Sequence, residues 1–101
     1  MKLAFIIIPH ETKLGNMTVL LKKTIEMFYN EFNGCSHYPI QGIWKGHLDG
    51  LLCEKIEVAM NLVDGQKFVN IANDVAVRAG VEKLMIQHPN GNILFINGKV
   101  L

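Results

Sequence analysis

The sequence predicts an α+β protein in which two helices cover one face of an antiparallel sheet. Two segments with helical spacing of apolar residues alternate with strand-like runs, in the order strand, helix, strand, strand, helix, strand, with a further strand at the end. Half of the 101 residues are hydrophobic and 19% are charged, a composition that excludes a disordered chain. The length suits one hydrophobic core, so we expect a single domain over residues 1–101.

The first predicted strand runs from Leu3 to Ile8 and is apolar on both faces, as expected in the middle of a sheet. Pro9 lacks an amide donor and ends it, and residues 10–16 are predicted to be a polar loop. The apolar run is too short to span a membrane, and no signal-peptide cleavage site follows it. Because two cysteines are too few for a disulfide-rich secreted scaffold, we expect a cytoplasmic protein with reduced thiols.

Two segments carry apolar residues at helical spacing and have suitable capping residues. The first helix is predicted near residues 17–33, with Asn16 as its N-cap. The second is predicted near residues 65–79, with Asp64 as its N-cap and Gly80 at its C-terminal end. The apolar stripes are Met17, Leu21, Ile25, Phe28 and Phe32 in the first helix, and Phe68, Ile71, Ala72, Val75 and Ala79 in the second.

The remaining strands are predicted from residue alternation and turn signals. Pro39 places the strand over residues 37–45 at an edge of the sheet, since a central strand needs that amide. Residues 52–63 alternate as a long strand whose mostly apolar face is expected to meet the core. Residues 81–87 and 93–96 form a hairpin, because an Asn-Gly turn lies between them.

This order is the split βαβ pattern of the ferredoxin-like plait, with βαββαβ followed by a C-terminal strand, and the chain resembles that superfamily over nearly its whole length. The stretch Gly42-Ile43-Trp44, followed by a turn and the strand from Lys55 to Leu62, looks like small bacterial proteins with a Gly-x-Trp strand that leads into a hairpin. The opening strand at residues 1–3 and the strand at 55–58 with its helix are similar in layout to PII-like signalling proteins. The resemblance implies a fold and a tendency to oligomerise, but no particular chemistry.

Titratable side chains cluster at one end of the predicted sheet. His10 and Glu11 follow the first strand, and His37 and Tyr38 open the second, so a plait would place them on the same side. A histidine beside a carboxylate suits general acid–base chemistry, because imidazole titrates near neutral pH. These four residues are the predicted catalytic candidates, and solvent-facing loop residues are the alternative.

Two further groups on the predicted strands have candidate roles. Trp44 and Tyr38 share one strand face and are predicted ligand-binding residues, with core packing or an interface as the alternative. Glu54, Lys55 and Glu57 are interpreted as solvated or interface residues of the long strand.

Several functions are not expected from this sequence. Cys35 and His37 could contribute to a zinc site with Cys53 or His10, but the usual closely spaced cysteine pair is missing, so neither a metal nor a cofactor is predicted. Phosphate-loop motifs are absent, Arg78 is the only arginine, and the net charge is +1. We therefore expect no binding to nucleic acid or to a membrane.

Two classes of function remain. The first is a small homo-oligomeric protein, a homodimer or trimer, that binds a small-molecule ligand or a partner. The alternative is a small dimeric α+β-barrel enzyme that uses His10 and His37 for acid–base chemistry. Self-association is expected because residues 3–8 and 93–96 place apolar side chains on both faces of the sheet. The C-terminal hairpin could instead fold back over the open face.

Overall fold

A computed structural model describes residues 1–44 and 46–98, without the side chains of Trp44 and His47. The described chain is an α+β fold with two helices and a main sheet of five antiparallel strands, as predicted. The strands are β1 (Lys2–Pro9), β2 (Glu11–Thr12), β3 (Gly15–Asn16), β4 (Cys35–Trp44), β5 (His47–Met60), β6 (Lys83–Gln87) and β7 (Ile93–Asn97). The helices are α1 (Thr18–Glu31) and α2 (Gly65–Ala79), and a short 3₁₀ turn at Leu62–Asp64 precedes α2.

The main sheet has the strand order β4-β5-β1-β6-β7. β1 pairs with β5 along its whole length, from Lys2 opposite Met60 to Pro9 opposite Cys53, and it pairs with β6 on its other side. The strand that is apolar on both faces therefore lies inside the sheet, and β4 with its proline lies at an edge, as the sequence indicates.

Residue alternation gives the main sheet two different faces. Every second residue of β1 from Ala4 onward is fully buried, and this face packs against the helices. Phe28 of α1 and Phe68 of α2 meet above it, with ring centroids 5.6 Å apart. Phe5 and Ile7 are only half-buried and lie on the opposite side, which we call the open face. The strand residues that form the core are Ala4, Ile6, Ile8, Ile56, Val58, Met60, Leu84, Ile86 and Ile96.

Residues 10–16 form a short hairpin of β2 and β3, which corrects the polar loop expected from the sequence. Contacts with α2 explain the difference. The Thr12 hydroxyl donates a hydrogen bond to the carbonyl oxygen of Ala79 at 2.7 Å. Leu14 lies over Gly80, whose left-handed φ of 68° ends α2 as predicted. The hairpin thus joins the segment before α1 to the end of α2.

The two helices begin differently. The N-cap of α1 is Met17, one residue after the predicted Asn16. The Asn16 carboxamide oxygen still accepts hydrogen bonds from the Thr18 amide, at 2.8 Å, and from the Thr18 hydroxyl, so it binds the first residue of the helix. Asp64 occupies the N-cap position of α2, as predicted, but its side chain forms no capping hydrogen bond. The 3₁₀ turn at Leu62–Asp64 leads directly into that helix.

The C-terminal hairpin extends the sheet. β7 pairs with β6, with Lys83 opposite Asn97 and Gln87 opposite Ile93. The alternative expectation that this hairpin folds back over the open face is therefore wrong for the described residues. Gly98 then packs against the end of α2, so closely that a Cβ atom would lie 2.6 Å from the carbonyl oxygen of Ala76.

Candidate active site

The helix-facing side of β5 carries one carboxylate in an otherwise apolar row. Glu54 is only 9% exposed and shares its face with Ile56, Val58 and Met60, which are fully buried. Burying a carboxylate is costly unless it accepts hydrogen bonds. The position of Glu54 therefore requires donors nearby.

His10 and His37 provide these donors. The Nε2 atom of His10 lies 2.9 Å from Oε1 of Glu54, and the Nδ1 atom of His37 lies 2.6 Å from Oε2. An ionised carboxylate can only accept, so each imidazole donates one N–H to a different oxygen. One buried carboxylate thus holds two imidazole rings.

The backbone of His10 is held on both sides. Its amide donates to the carbonyl oxygen of Leu52 at 2.9 Å, which extends the pairing of β1 with β5 by one residue. Its carbonyl oxygen accepts a hydrogen bond from the Met17 amide, also at 2.9 Å. These bonds fix the backbone of His10, from which the ring reaches Glu54.

Strand register places His37 beside the same carboxylate. Pro39 on β4 lies opposite Glu54, and His37 lies opposite Ile56. Opposed residues of antiparallel strands share a face, so His37 and Glu54 are diagonal neighbours on the helix-facing side. The two histidines therefore reach Glu54 from opposite neighbours of β5.

Hydrogen bonds and nearby positive charge together outweigh the effect of burial on the pKa of Glu54. Burial raises the pKa of its carboxyl, while the hydrogen bonds from His37 and His10, and the positive charge of these rings when protonated, lower it. The resulting pKa lies below the ordinary value for a glutamate. Glu54 is therefore ionised at neutral pH and accepts from both rings.

The hydrogen bonds also determine which ring nitrogens remain available. In a neutral ring that donates to Glu54, the second nitrogen carries a lone pair: Nδ1 in His10 and Nε2 in His37. The side chains of His10 and His37 are 29% and 49% exposed, against 11% for Glu54. The carboxylate is thus shielded, while both rings can be approached.

A cleft of about 200 Å³ lies beside the three residues, between the sheet and the start of α1. Leu21 and Ile25 form an apolar part of its wall, and Lys22 and Thr18 add polar groups. The cleft is therefore suited to a small molecule that has both polar and apolar parts.

The structure brings together two of the four predicted catalytic residues. His10 and His37 meet at Glu54. Glu11 is exposed in β2 and borders an adjoining hollow with His10. Tyr38 follows His37 along β4 and therefore lies on the open face, where its ring centroid is 5.9 Å from the Lys55 ammonium nitrogen. The side chain of Trp44, the predicted ligand-binding residue, lies outside the described part of the chain.

The interpretation of Glu54 as a solvated or interface residue is wrong, because it is buried and bonded to two histidines. A signal for this was present in the sequence. Glu54 is the one charged residue on the alternating face that contains Leu52, Ile56 and Val58. A carboxylate in such a register indicates a buried hydrogen-bonded group.

The residues considered for a zinc site are not assembled. Cys35 lies opposite Val58 on the helix-facing side, whereas Cys53 lies opposite Pro9 on the open side. Both thiols are free, and burial raises the pKa of each. In the described part of the chain, no group of three or more histidine, cysteine, aspartate or glutamate residues is arranged to hold a metal ion.

No protein-family model matches this sequence, and no curated protein is significantly similar to it. Within residues 1–44 and 46–98, the structure has no helix that is both long and apolar enough to cross a membrane.

Proposed function

We propose that the chain is a ferredoxin-like plait that carries a general acid–base site at His10, Glu54 and His37. β1 lies between β5 and β6 in the sheet. Along the chain, α1 lies between β1 and β4, and α2 lies between β5 and β6. This arrangement supports the plait. The β2–β3 hairpin and the terminal β7 are additions to the simple βαββαβ order. The free thiols agree with the cytoplasmic location that we also propose.

The shared carboxylate is the observation that carries the acid–base proposal. A polar cluster in a core-facing row is rarely the most stable choice, since apolar residues of similar size are often as good or better. Here the cluster borders a cleft, and its two rings are partly exposed. Titratable groups arranged in this way are typical of sites that transfer protons.

The proposed chemistry divides the roles between the two rings. His37 donates its Nδ1 proton to Glu54, so its Nε2 lone pair can remove a proton from a bound substrate. Glu54 then stabilises the positive charge that forms on His37. A protonated His10 can return a proton to the substrate from Nδ1, which completes a proton transfer between two substrate atoms.

The cleft walls indicate the kind of substrate. Lys22 can attract a negatively charged group, and Leu21 and Ile25 can contact a short apolar part. We therefore propose a small organic anion whose reaction requires removal and return of a proton.

The ring opening of 5-nitrobenzisoxazole tests the site without knowledge of the natural substrate. A base removes the proton on the ring carbon, the N–O bond breaks, and the product is a coloured cyanophenolate. General-base catalysis contributes about 10²–10⁴-fold, so His37→Ala and Glu54→Gln should each lower the rate at least about tenfold. Glu26→Gln is the matched control, because Glu26 is exposed on α1 and its loss should leave the rate unchanged. A wild-type rate no higher than that of free imidazole at equal concentration, or equal rates for wild type and Glu54→Gln, would refute the proposal.

The binding role that the sequence also predicts would use the opposite side of the sheet. Tyr38 lies there, 39% exposed, with its ring centroid 5.9 Å from the Lys55 ammonium nitrogen.

A further inference from the structure

We infer that the open face of the main sheet is an interface between two copies of this chain. This face has a large apolar content. Leu3, Ile93 and Phe95 are 49%, 47% and 58% exposed. A hollow of about 290 Å³ lies among side chains of this face that include Ile7, Met85 and Phe95. Several exposed apolar side chains on one face are typical of an interaction site.

Two opposite charges stand side by side on this face. Lys55 and Glu57 are two residues apart on β5, so both side chains point away from the helices. Both are half-buried. The Lys55 ammonium nitrogen lies 4.3 Å from the centroid of the Phe5 ring. Neither charge belongs to an ion pair within the part of the chain that the structure describes.

This charge pattern favours a second copy as the occupant. In a two-fold dimer, residue i of one copy meets residue j of the other, and j meets i. A Lys and a Glu side by side are complementary to themselves under that operation. Lys55 of each copy can therefore pair with Glu57 of the other, whereas a different protein would need a matching pattern of its own.

The size of the face also suits a dimer. With strands about 4.8 Å apart and a rise of about 3.3 Å per residue, five strands and the length of β1 give about 20 Å by 25 Å. This is a projected area of about 500 Å², and the relief of the side chains makes the accessible area larger. A stable interface buries about 800 Å² of accessible surface on each partner, so a stable dimer must use nearly the whole open face.

The proposed interface and the acid–base site are independent. Glu54 and both histidines lie on the helix-facing side of the sheet, and Lys55 and Glu57 lie on the other. A dimer through the open face leaves the cleft accessible, so loss of one property need not affect the other.

Variants that reverse the charges of Lys55 and Glu57, with their molecular mass measured by light scattering, test this inference. We expect wild-type protein at micromolar concentration to have twice the chain mass of 11.4 kDa. Lys55→Glu and Glu57→Lys should each raise the dimer dissociation constant at least about tenfold, because like charges then face each other. The double variant should restore the dimer, since it recreates the pairs in reverse order.

Two additional variants keep the test interpretable. Phe95→Asp places a charge at an exposed position of the open face and should also give monomers, with circular dichroism used to verify folding. Lys23→Glu, on the exposed side of α1, is the matched control and should leave the dimer intact. Wild type at the monomer or trimer mass, or a double variant that remains monomeric, would overturn the inference.

Discussion

Replacement of Glu54 by glutamine should destabilise the fold in a way that depends on pH. The change preserves the shape of the side chain but removes its charge and one of its two acceptor atoms. The glutamine oxygen can accept from one imidazole, while its amide group faces the other. One ring must then invert its tautomer or lose its hydrogen bond.

The expected size of the effect follows from the two bonds. A hydrogen bond to a charged group contributes about 1.5–3 kcal/mol, and one such bond is lost in Glu54→Gln. The Glu54 side chain is 11% exposed, so water cannot readily replace the missing partner. With a urea dependence of about 2 kcal/mol per molar, a loss of about 2 kcal/mol lowers the unfolding midpoint by about 1 M.

The pH dependence has a definite sign. Folding lowers the pKa of Glu54, so the folded state favours the ionised carboxylate. The resulting stabilisation is fully present above the ordinary glutamate pKa and is lost as the pH falls through the lower pKa of the folded state. Wild type and Glu54→Gln should therefore differ most near neutral pH and converge in acid.

Urea unfolding followed by circular dichroism, repeated from neutral to acidic pH, measures this difference. Glu26→Gln is again the control and should change the free energy of unfolding by no more than about 0.5 kcal/mol. A difference between wild type and Glu54→Gln that stays constant across the pH series would contradict the assigned role of the carboxylate.

Three other substitutions test the packing. Gly98→Ala should cost about 1–3 kcal/mol of unfolding free energy, because its Cβ would meet backbone oxygens; a midpoint equal to wild type would contradict the close approach. Phe28→Ala, which empties the centre of the core, should cost about 3–5 kcal/mol by urea unfolding, whereas Tyr29→Ala, 73% exposed on the same helix, should cost about 0.5 kcal/mol or less. Thr12→Val should remove about 1 kcal/mol and speed amide exchange in the β2–β3 hairpin, and unchanged exchange would show that the bond to Ala79 does not hold it.

Local patterns were sufficient to predict the helices. The sequence predicts the second helix near residues 65–79, and it is observed at Gly65–Ala79. The prediction succeeds because the apolar spacing indicates the buried face of the helix and Gly80 marks its end. The first was predicted near residues 17–33 and is observed over the shorter range Thr18–Glu31. Phe32 continues the apolar spacing of the helix, but its backbone is extended and it lies just after the last helical residue.

The hairpin of β2 and β3 could not be predicted in the same way. Its strands are only two residues long, and they carry no alternation that could be recognised. The structure holds them through Thr12 and Leu14, whose partners at the end of α2 are more than 60 residues away in sequence. Such contacts depend on the tertiary arrangement.

The candidate site was partly predictable. Plait topology predicted that His10 and His37 lie near each other, and alternation already placed Glu54 on the apolar face of its strand. Residue type alone suggests a solvated glutamate, whereas the strand register of Glu54 indicates burial. Alternation also separates Tyr38 from His37, since adjacent residues of a strand point to opposite faces.

The two imidazoles differ in how rigidly the chain carries them. His10 lies between two backbone hydrogen bonds, at the base of a hairpin that is fastened to α2, so little conformational entropy remains to be lost when a substrate binds. His37 lies on the edge strand β4, which has a neighbouring strand on only one side. In the proposed reaction, a rigidly held proton donor would face a more mobile proton acceptor, and the site would then be able to follow a substrate whose geometry changes.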